Sequence, residues 1–323
     1  FMNNIKQIDQ KFIEEHTVFT ELISEIRNNF STNKVLTPIR HHHDFPNPEV
    51  NENSTLFLMP AWNPSKNAGV KIVTVSPKND QFNIPTIQGS YIYIDAVKGL
   101  VKAFLEANSL TVKRTAAASA LASIFLSNKD ASSLLMIGTG ALSTNLIKAH
   151  VSVRPINSVF IWGRNFEKAT AICNELKNKN FTIHPIRKIE EKISEVDIIS
   201  CATLSKIPLV KGKYLRNGQH IDLVGAYKKD MREADDETIS RASVFLDSYQ
   251  LGLKESGDIV IPIQNGTLKE SNIKADLFEL CSKLKLGREN YNEITVFKSV
   301  GHALEDLAAA TYYYKKYIDE SGI

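Results

Sequence analysis

The sequence predicts an α/β protein that combines a doubly wound parallel sheet with a smaller α+β domain, and three observations predict it. First, short apolar runs alternate with helical patterns over residues 134–247, as in a parallel sheet covered by helices on both faces. Second, the first of these runs ends directly in glycines. Third, the chain before residue 111 carries successive β-rich runs separated by Pro, Asn and Gly, which is typical of an antiparallel or mixed sheet.

The N-terminal part begins with a predicted helix. Apolar residues recur at helical spacing between Ile8 and Phe30, which predicts one amphipathic helix over residues 8–30. The β-rich runs predict strands over residues 55–59, 70–76, 91–95 and 100–105. For the run His41-His42-His43 we expect a loop without a metal site, because adjacent side chains point in different directions.

A second pattern begins after Thr111. An Ala-rich segment predicts a helix over residues 115–125, and buried-strand patterns follow at 134–137, 158–162, 181–186, 197–201, 220–224 and 244–247. Apolar spacing predicts a last helix over residues 301–317. Nothing in that spacing assigns the last helix to either domain.

Composition and charge exclude several function classes. The 323 residues carry 39 Lys and Arg against 36 Asp and Glu, so the net charge of +3 does not indicate a nucleic-acid or membrane-surface partner. The three cysteines are odd in number and far apart, which argues against disulfides and thiolate metal sites and favours the cytoplasm. No apolar stretch approaches the roughly 18 residues of a membrane span.

The strand over residues 134–137 runs into a GxGxxS turn and then a helix. In this arrangement the first glycine makes the tight turn, and the second lets backbone N–H groups approach a pyrophosphate at the helix N-terminus. A tight turn that binds nothing is the alternative, but the position inside a β-α-β pattern favours a Rossmann-type dinucleotide site. The turn residues are Gly138, Thr139, Gly140, Ala141, Leu142 and Ser143.

The end of the next strand indicates which dinucleotide is bound. An NAD site usually offers an acidic residue to the ribose there, whereas this chain has Gly163, Arg164 and Asn165, with Lys168 one helical turn later. A guanidinium can bind the 2′-phosphate of NADP, which a carboxylate would repel. We therefore predict NADPH as the preferred coenzyme and NADH as possible, with a solvated surface Arg164 as the alternative.

Four ordered motifs make the chain resemble the ornithine cyclodeaminase/mu-crystallin family. They comprise an Arg-Thr-Ala-Ala segment, the glycine turn, a Gly-Ala-Tyr segment that is followed by Asp-Met-Arg-Glu, and a Ser-Val-Gly-His segment that opens the last helix. The motifs occupy residues 111–119, 138–142, 224–233 and 295–307, and the resemblance runs from about residue 35 to about residue 310.

The resemblance implies a domain organisation. Residues 1–114 would form a substrate-binding and dimerisation domain, rejoined by the helix at 301–323, and residues 115–300 a Rossmann dinucleotide-binding domain. A homodimer is implied, with the substrate site between the two domains. Besides the turn residues, the cofactor-binding residues predicted are Thr115, Ala202, Thr203, Gly225, Ala226, Val300 and Gly301.

The resemblance also implies which residues bind the substrate. Family members hold a substrate carboxylate with an early Arg, a strand Lys and the Arg of the Arg-Thr-Ala-Ala motif, which correspond here to Arg40, Lys71 and Arg114. Such convergence is sound chemistry, because a carboxylate accepts a bidentate Arg and a buried Lys can supply a proton. We take Lys71 and Arg114 as the candidate catalytic residues.

One departure from the family's name-giving enzymes decides the predicted reaction. Ornithine cyclodeaminases carry a catalytic Asp directly after the Gly-Ala pair, whereas this sequence has Tyr227 there and an Asp only at Asp230. The segment is similar to that of the family's ketimine and Δ1-pyrroline-2-carboxylate reductases. The prediction is NAD(P)H-dependent hydride transfer to C2 of a cyclic imino acid, giving L-proline or L-pipecolate.

Two alternatives stay open at this point. One is an ornithine cyclodeaminase or amino-acid dehydrogenase, in which Asp230 would replace the missing base. The other is a mu-crystallin-like protein that binds NADPH and a small ligand without turnover.

Overall fold

The computed structural model describes residues 5–177 and 180–322. The chain divides into two compact units: Phe1–Arg114 together with Ala303–Ile323, and Thr115–His302. Residues 1–4 and 323 of the predicted first domain, and 178–179 of the predicted second, lie outside the described residues.

The N-terminal segment contains a strand and two helices, so the prediction of one helix over residues 8–30 is wrong. They are β1 (Lys6–Ile8), α1 (Gln10–Glu15) and α2 (Phe19–Thr32). Asp9 has an extended backbone, and its carboxylate accepts a hydrogen bond from Phe12 N at 2.8 Å. Asp9 is therefore the N-cap of α1, and the helix begins only after β1 has ended. The helical spacing of apolar residues runs on across this boundary because both elements bury apolar side chains, Ile8 from β1 and Ile13 from α1.

Five more strands complete the sheet of the first unit. They are β2 (His41–Phe45), β3 (Ser54–Asn63), β4 (Asn67–Val75), β5 (Ile87–Asp95) and β6 (Leu100–Glu106), in the order β1-β6-β5-β4-β3-β2. All neighbours are antiparallel except β1 with β6, which confirms the mixed sheet. The histidine run is therefore an exposed edge strand and not a loop, and His42 Nε2 lies 3.1 Å from Asp44 Oδ1.

Helix α3 (Ala107–Leu126) begins eight residues before the predicted helix. The Glu106 carboxylate accepts hydrogen bonds from Asn108 N and Ser109 N, each at 2.7 Å, and so caps the new helix at the end of β6. Arg114 consequently lies two turns inside α3 and not at its start.

The second unit is built on an eight-stranded sheet in which all pairings are parallel. The order is β13-β12-β14-β11-β10-β7-β8-β9, which confirms the doubly wound prediction; the short β13 and the buried β14 were not predicted as strands. The strands are β7 (Ser133–Ile137), β8 (Ser158–Trp162), β9 (Thr182–Ile186), β10 (Ile198–Cys201), β11 (His220–Leu223), β12 (Ser243–Leu246), β13 (Ala275–Asp276) and β14 (Thr295–Lys298).

Helices alternate with these strands. They are α4 (Ser143–Val153), α5 (Phe166–Glu175), α6 (Asp236–Arg241), α7 (Tyr249–Glu255), α8 (Gly257–Gln264) and α9 (Leu277–Cys281). Four 3₁₀ helices span Asn79–Phe82, Ile189–Glu191, Gly212–Tyr214 and Glu270–Asn272. The strand order reverses between β7 and β10, and ligands of open α/β sheets bind at such a switch point.

Helix α10 (Ala303–Ser321) returns the chain to the first unit. Its apolar residues are buried where it packs against α2, β3, β4 and β5. The three cysteines are free and buried. Among the described residues, no helix is both long and apolar enough to cross a membrane.

Candidate functional site

The turn after β7 requires its first glycine. Gly138 has φ +122°, and a Cβ there would lie 2.5 Å from the carbonyl oxygen of Ala202, which follows β10. The predicted residues Gly138 and Ala202 therefore lie side by side at the switch point of the sheet. Sequence spacing alone did not show this neighbourhood.

The second glycine of the turn leaves space beside the N-terminus of α4. A Cβ at Gly140 would meet no atom within 4 Å, and Gly140 and Ala141 are exposed. Ser143 Oγ donates to Gly138 O at 2.9 Å, and no side chain caps the first turn of α4. Open backbone N–H groups beside an unfilled glycine fit the pyrophosphate of a dinucleotide.

The residues after β8 form the second part of this region. A Cβ at Gly163 would lie 2.5 Å from Thr139 Cγ2, so the two predicted residues pack together. Asn165 Oδ1 accepts from Lys168 N at 2.9 Å, which commits the Asn165 side chain to capping α5. Arg164 and Lys168 are exposed, and neither side chain is ion-paired within residues 5–177 and 180–322.

Gly225 and Ala226 follow β11 and are held closely. A Cβ at Gly225 would lie 1.9 Å from Thr203 O, so only glycine fits beside Thr203. Ala226 has φ 47°, a left-handed conformation that disfavours side chains, and Ser256 Oγ donates to its carbonyl at 2.7 Å. Contacts with Thr203 and Ser256 therefore fix the backbone conformation after β11.

Val300 and Gly301 are bound by a carboxylate that the sequence did not reveal. Asp247, at the end of β12, accepts hydrogen bonds from Val300 N and Gly301 N at 2.7 Å each through Oδ2. Both residues lie before α10, which begins at Ala303, and not at its start as predicted. Thr115, the remaining predicted cofactor residue, is 7% exposed on α3.

A buried charge network beneath the strand ends was also missed. Lys298 of β14 is fully buried; its ammonium donates to Gly225 O and, at 3.0 Å, to Asp258 Oδ2. Glu233 lies 3.8 Å away and accepts from Thr203 N at 2.6 Å. Burial raises the pKa of the Glu233 carboxyl to about 7, although the charge of Lys298 opposes this shift.

In the first unit, two of the predicted carboxylate-binding cations are buried. Lys71 on β4 is 3% exposed and Arg114 on α3 is 6% exposed. Buried cations require partners, and here the partners are two acids on α10. Arg114 Nη1 donates to Glu305 Oε2 at 2.7 Å, Arg114 Nε donates to Asp306 Oδ1 at 2.9 Å, and Lys71 Nζ donates to that same oxygen at 2.9 Å.

The sequence did not reveal a role for Glu305 or Asp306, although both lie in the family motif at residues 295–307. Both are fully buried within a run of Ala and Leu. Two adjacent acids on an otherwise apolar helix were the available signal, since such residues are rarely buried without charged partners. Their partners lie 191 and 192 positions earlier in the chain.

The pKa values in this cluster reflect burial and charge together. Burial lowers the pKa of the Lys71 ammonium to about 8, with Asp306 opposing the shift and Arg114 and Arg40 adding to it. Burial would raise the pKa of Asp306, but the charges of Lys71 and Arg114 outweigh it and hold that pKa below its usual value. Lys71 is therefore mostly protonated at neutral pH and close to releasing its proton.

The cluster retains unused hydrogen-bond donors. Lys71 Nζ donates to Asp306 and, at 3.3 Å, to Thr111 Oγ1, which leaves one of its three protons. Within the described residues, no acceptor lies in hydrogen-bond range of Arg114 Nη2. Arg40 is half-buried and its charge acts on Lys71, so the three predicted cations lie in one neighbourhood. The unused donors of Lys71 and Arg114 suit an additional anion.

Comparison with known proteins identifies the family. The model of the ornithine cyclodeaminase/mu-crystallin family matches residues 4–321. The chain belongs to this family. The resemblance drawn from the four motifs is thereby confirmed.

Individual members of the family are similar over their whole length. The Δ1-pyrroline-2-carboxylate reductase of Colwellia psychrerythraea is 35% identical, covering 98% of this chain and 100% of its own. The structure of the Thermococcus litoralis Δ1-pyrroline-2-carboxylate reductase with NADH and L-proline is 31% identical, with a TM-score of 0.91 and 99% of each chain covered. An archaeal alanine dehydrogenase dimer with bound NAD is 26% identical, with a TM-score of 0.90 and 98% and 97% covered.

Proposed function

We propose that this protein is an NAD(P)H-dependent reductase of cyclic imino acids, converting Δ1-pyrroline-2-carboxylate or Δ1-piperideine-2-carboxylate to L-proline or L-pipecolate. The observation that carries the proposal is the cluster of Lys71 and Arg114, buried with donors to spare, in a chain related along its length to reductases of such an imine. The nicotinamide, when bound, supplies the hydride.

The charges of the cluster suit a monocarboxylate. Lys71 and Arg114 pair with Asp306 and Glu305, and Arg40 adds a positive charge that acts on Lys71. A substrate carboxylate is attracted to this cationic neighbourhood. Arg40 and Arg114 hold the carboxylate, and this contact orients the imine carbon for hydride transfer.

The same cluster supplies a proton donor. A protonated imine accepts hydride far more readily than a neutral one, and Lys71 has a pKa of about 8, which matches proton donation near neutral pH. Its remaining N–H, directed at the imine nitrogen or at a water, stabilises or supplies that proton. Burial of Lys71 keeps bulk water from competing for the donor.

Residues of the second unit bind the dinucleotide. The turn of Gly138–Leu142 and the first turn of α4 receive the pyrophosphate, and Gly225, Ala226, Val300 and Gly301 border the nicotinamide half. Arg164 and Lys168 bind a 2′-phosphate, so NADPH is the preferred coenzyme. NADH remains usable because it carries a hydroxyl in place of the 2′-phosphate, and a cation does not repel a hydroxyl.

The chain departs from a cyclodeaminase at the catalytic position. Tyr227 replaces the catalytic Asp and is 42% exposed. Asp230 is exposed and lies 2.6 Å from Lys206 Nζ, a hydrogen bond that lowers the pKa of its carboxyl and weakens it as a base. An amino-acid dehydrogenase is the second candidate, since the alanine dehydrogenase has the same fold at 26% identity.

We also propose a cytoplasmic homodimer. Free cysteines suit a reducing compartment. The first unit exposes the large apolar residues Leu36, Ile39 and Phe45 around its edge strand, and such residues are more common at subunit contacts than on monomers. Light scattering coupled to gel filtration measures the mass; a monomer at micromolar concentration would refute the dimer.

The reaction is tested by following NADPH and NADH oxidation with each freshly generated cyclic imine. Oxidation of NADPH, with L-proline or L-pipecolate as product, is expected. Lys71→Met should abolish most of this activity, whereas Lys66→Met, an exposed lysine in the turn before β4, should retain it. Coenzyme binding without oxidation would indicate a binding protein, and ammonia-dependent oxidation with a 2-oxo acid would indicate the dehydrogenase.

A further inference from the structure

A single carboxylate oxygen holds both candidate catalytic cations. Asp306 Oδ1 accepts from Lys71 Nζ and from Arg114 Nε at 2.9 Å each, and all three side chains are buried. Glu305, the preceding residue on α10, accepts from Arg114 at 2.7 Å and does not contact Lys71. Two adjacent acids thus have different partners, and only one of them contacts the lysine.

We propose that Asp306 is a positioning residue of the imine reduction, which directs the remaining donors of Lys71 and Arg114 and keeps Lys71 charged, whereas Glu305 acts on Arg114 and not on Lys71. The inference rests on the proposed function for the reaction that it names. The contacts themselves lie within the first unit.

The geometry of Arg114 supports the positioning role. Its guanidinium is planar and rigid, so engaging Nε with Asp306 and Nη1 with Glu305 fixes the plane and therefore the direction of Nη2. Lys71 is restrained in the same way by Asp306 and Thr111. One acid therefore sets the relative placement of two donors on different elements, β4 and α3.

The surroundings of Lys71 explain why its charge depends on Asp306. Burial disfavours the ammonium, and the nearby guanidinium groups repel it; Asp306 is the acid that opposes both effects. Tyr91, directly opposite on β5, has a pKa raised by burial and by Asp306, so it stays neutral. The charged and titratable groups facing the cluster are Asp306 and Glu305 on α10, Arg114 on α3, Arg40 before β2, and Tyr91 on β5.

The test compares Asp306→Asn with Glu305→Gln through the pH dependence of kcat/KM for the cyclic imine. In Asp306→Asn, the decline of activity at alkaline pH should begin at least about one pH unit lower than in the wild type. Glu305→Gln should raise KM about tenfold by loosening Arg114, and leave the pH of that decline unchanged. Asp306→Glu keeps the negative charge on a longer side chain. In this variant the alkaline decline should begin at the wild-type pH, whereas the KM for the imine should be higher than in the wild type.

Controls separate this inference from loss of the fold and from failure of the proposed function. Circular dichroism and NADH fluorescence verify that each variant is folded. If Asp306→Asn does not fold, the inference is tested with Glu305→Gln and Asp306→Glu instead. An alkaline decline of kcat/KM that begins at a lower pH in Glu305→Gln than in the wild type overturns the inference. Identical pH profiles for folded Asp306→Asn and the wild type also overturn it.

If the wild type oxidises neither coenzyme with a cyclic imine, the proposed function fails while the inference is still tested. The readout is then calorimetric binding of pyrrole-2-carboxylate, a stable planar monocarboxylate, between about pH 6 and pH 10. Asp306→Asn should lose affinity at a lower pH than the wild type. Parallel loss of affinity in both proteins contradicts the role assigned to Asp306.

Discussion

The two units of this protein each bury a lysine among acids, but the two clusters differ in what they leave unused. In the second unit, Lys298 contacts Gly225 O, Asp258 and Glu233, and its ammonium is surrounded by acceptors. In the first unit, Lys71 and Arg114 are paired with Asp306 and Glu305 and still retain free N–H donors.

This difference separates a structural network from a binding site. Buried charge alone does not indicate function, because an ion pair can serve to hold strand ends together. Donors that remain after pairing favour an anionic ligand, because an acceptor that reaches them gains charge-assisted hydrogen bonds. We therefore propose that the cluster of the first unit binds the substrate, whereas Lys298, one cation between two acids, supports the backbone at Gly225.

The largest expected effect is at Arg114. Arg114→Lys should lower kcat/KM for the cyclic imine by about 100-fold or more, because one ammonium cannot hold two acids and a substrate carboxylate together. Lys113→Arg is the matched control: Lys113 lies on the same helix and pairs with Glu14 at 2.6 Å. Steady-state kinetics measure both, and equal losses in the two variants would contradict the assignment.

The next effect concerns the cluster around Lys298. Lys298→Met should lower the free energy of unfolding by about 3–5 kcal/mol, because it leaves two buried carboxylates without their cation. Lys285→Met, at an exposed position, should change it by less than about 0.5 kcal/mol. Denaturant unfolding gives both values. If Lys298→Met raised the KM for the imine as much as Arg114→Lys does, the two clusters would not differ in function as proposed.

Acidification should act on the second unit through two groups with opposite signs: a loss from His220, and a gain from Glu233, whose raised pKa of about 7 lets the folded chain take up a proton first. Burial holds the pKa of His220 well below 6.5, so only the unfolded chain takes up this proton and stability falls as the pH drops below 6.5. Asp306 has a pKa below 3.8 in the folded state, so its contribution is lost only as the pH falls below that value. The His220 loss amounts to about 1.4 kcal/mol per pH unit.

Hydrogen exchange resolved by residue at pH 7 and pH 5 measures this difference. In His220→Asn, amides of Thr115–His302 should be better protected at pH 5 than in the wild type, because only the Glu233 contribution remains. The same change of protection between pH 7 and pH 5 in both proteins would show that His220 does not contribute to the acid sensitivity.

The smallest expected effect is at Arg164. Arg164→Ala should weaken NADPH about tenfold and leave NADH unchanged, because only NADPH carries the 2′-phosphate. Arg187→Ala is the control, since that guanidinium already stacks on Phe166 at 4.1 Å. Fluorescence titration with each coenzyme measures the affinities, and an equal loss for both coenzymes in Arg164→Ala would refute the NADPH preference.

Much of the fold was predictable because its signals are local. The glycine turn after β7, the alternation of strands and helices and the four β-rich runs all depend on neighbours in sequence. One error arose because the helical spacing of apolar residues continues across the boundary at Asp9, so that a strand and two helices were predicted as one helix. Another arose because the strand His41–Phe45 is mostly polar and was predicted as a loop. The short β13 has two residues, too few for any periodic pattern.

The sequence by itself determined the doubly wound sheet and the glycine turn, and its resemblance to the family pointed to the cations Arg40, Lys71 and Arg114. Only the tertiary structure decided that Glu305 and Asp306 pair with Arg114 and Lys71, and that Asp247 binds the Val300–Gly301 backbone. The physical reason is distance along the chain: residues some 190 positions apart meet only after folding, and the pKa of Lys71 depends on that meeting.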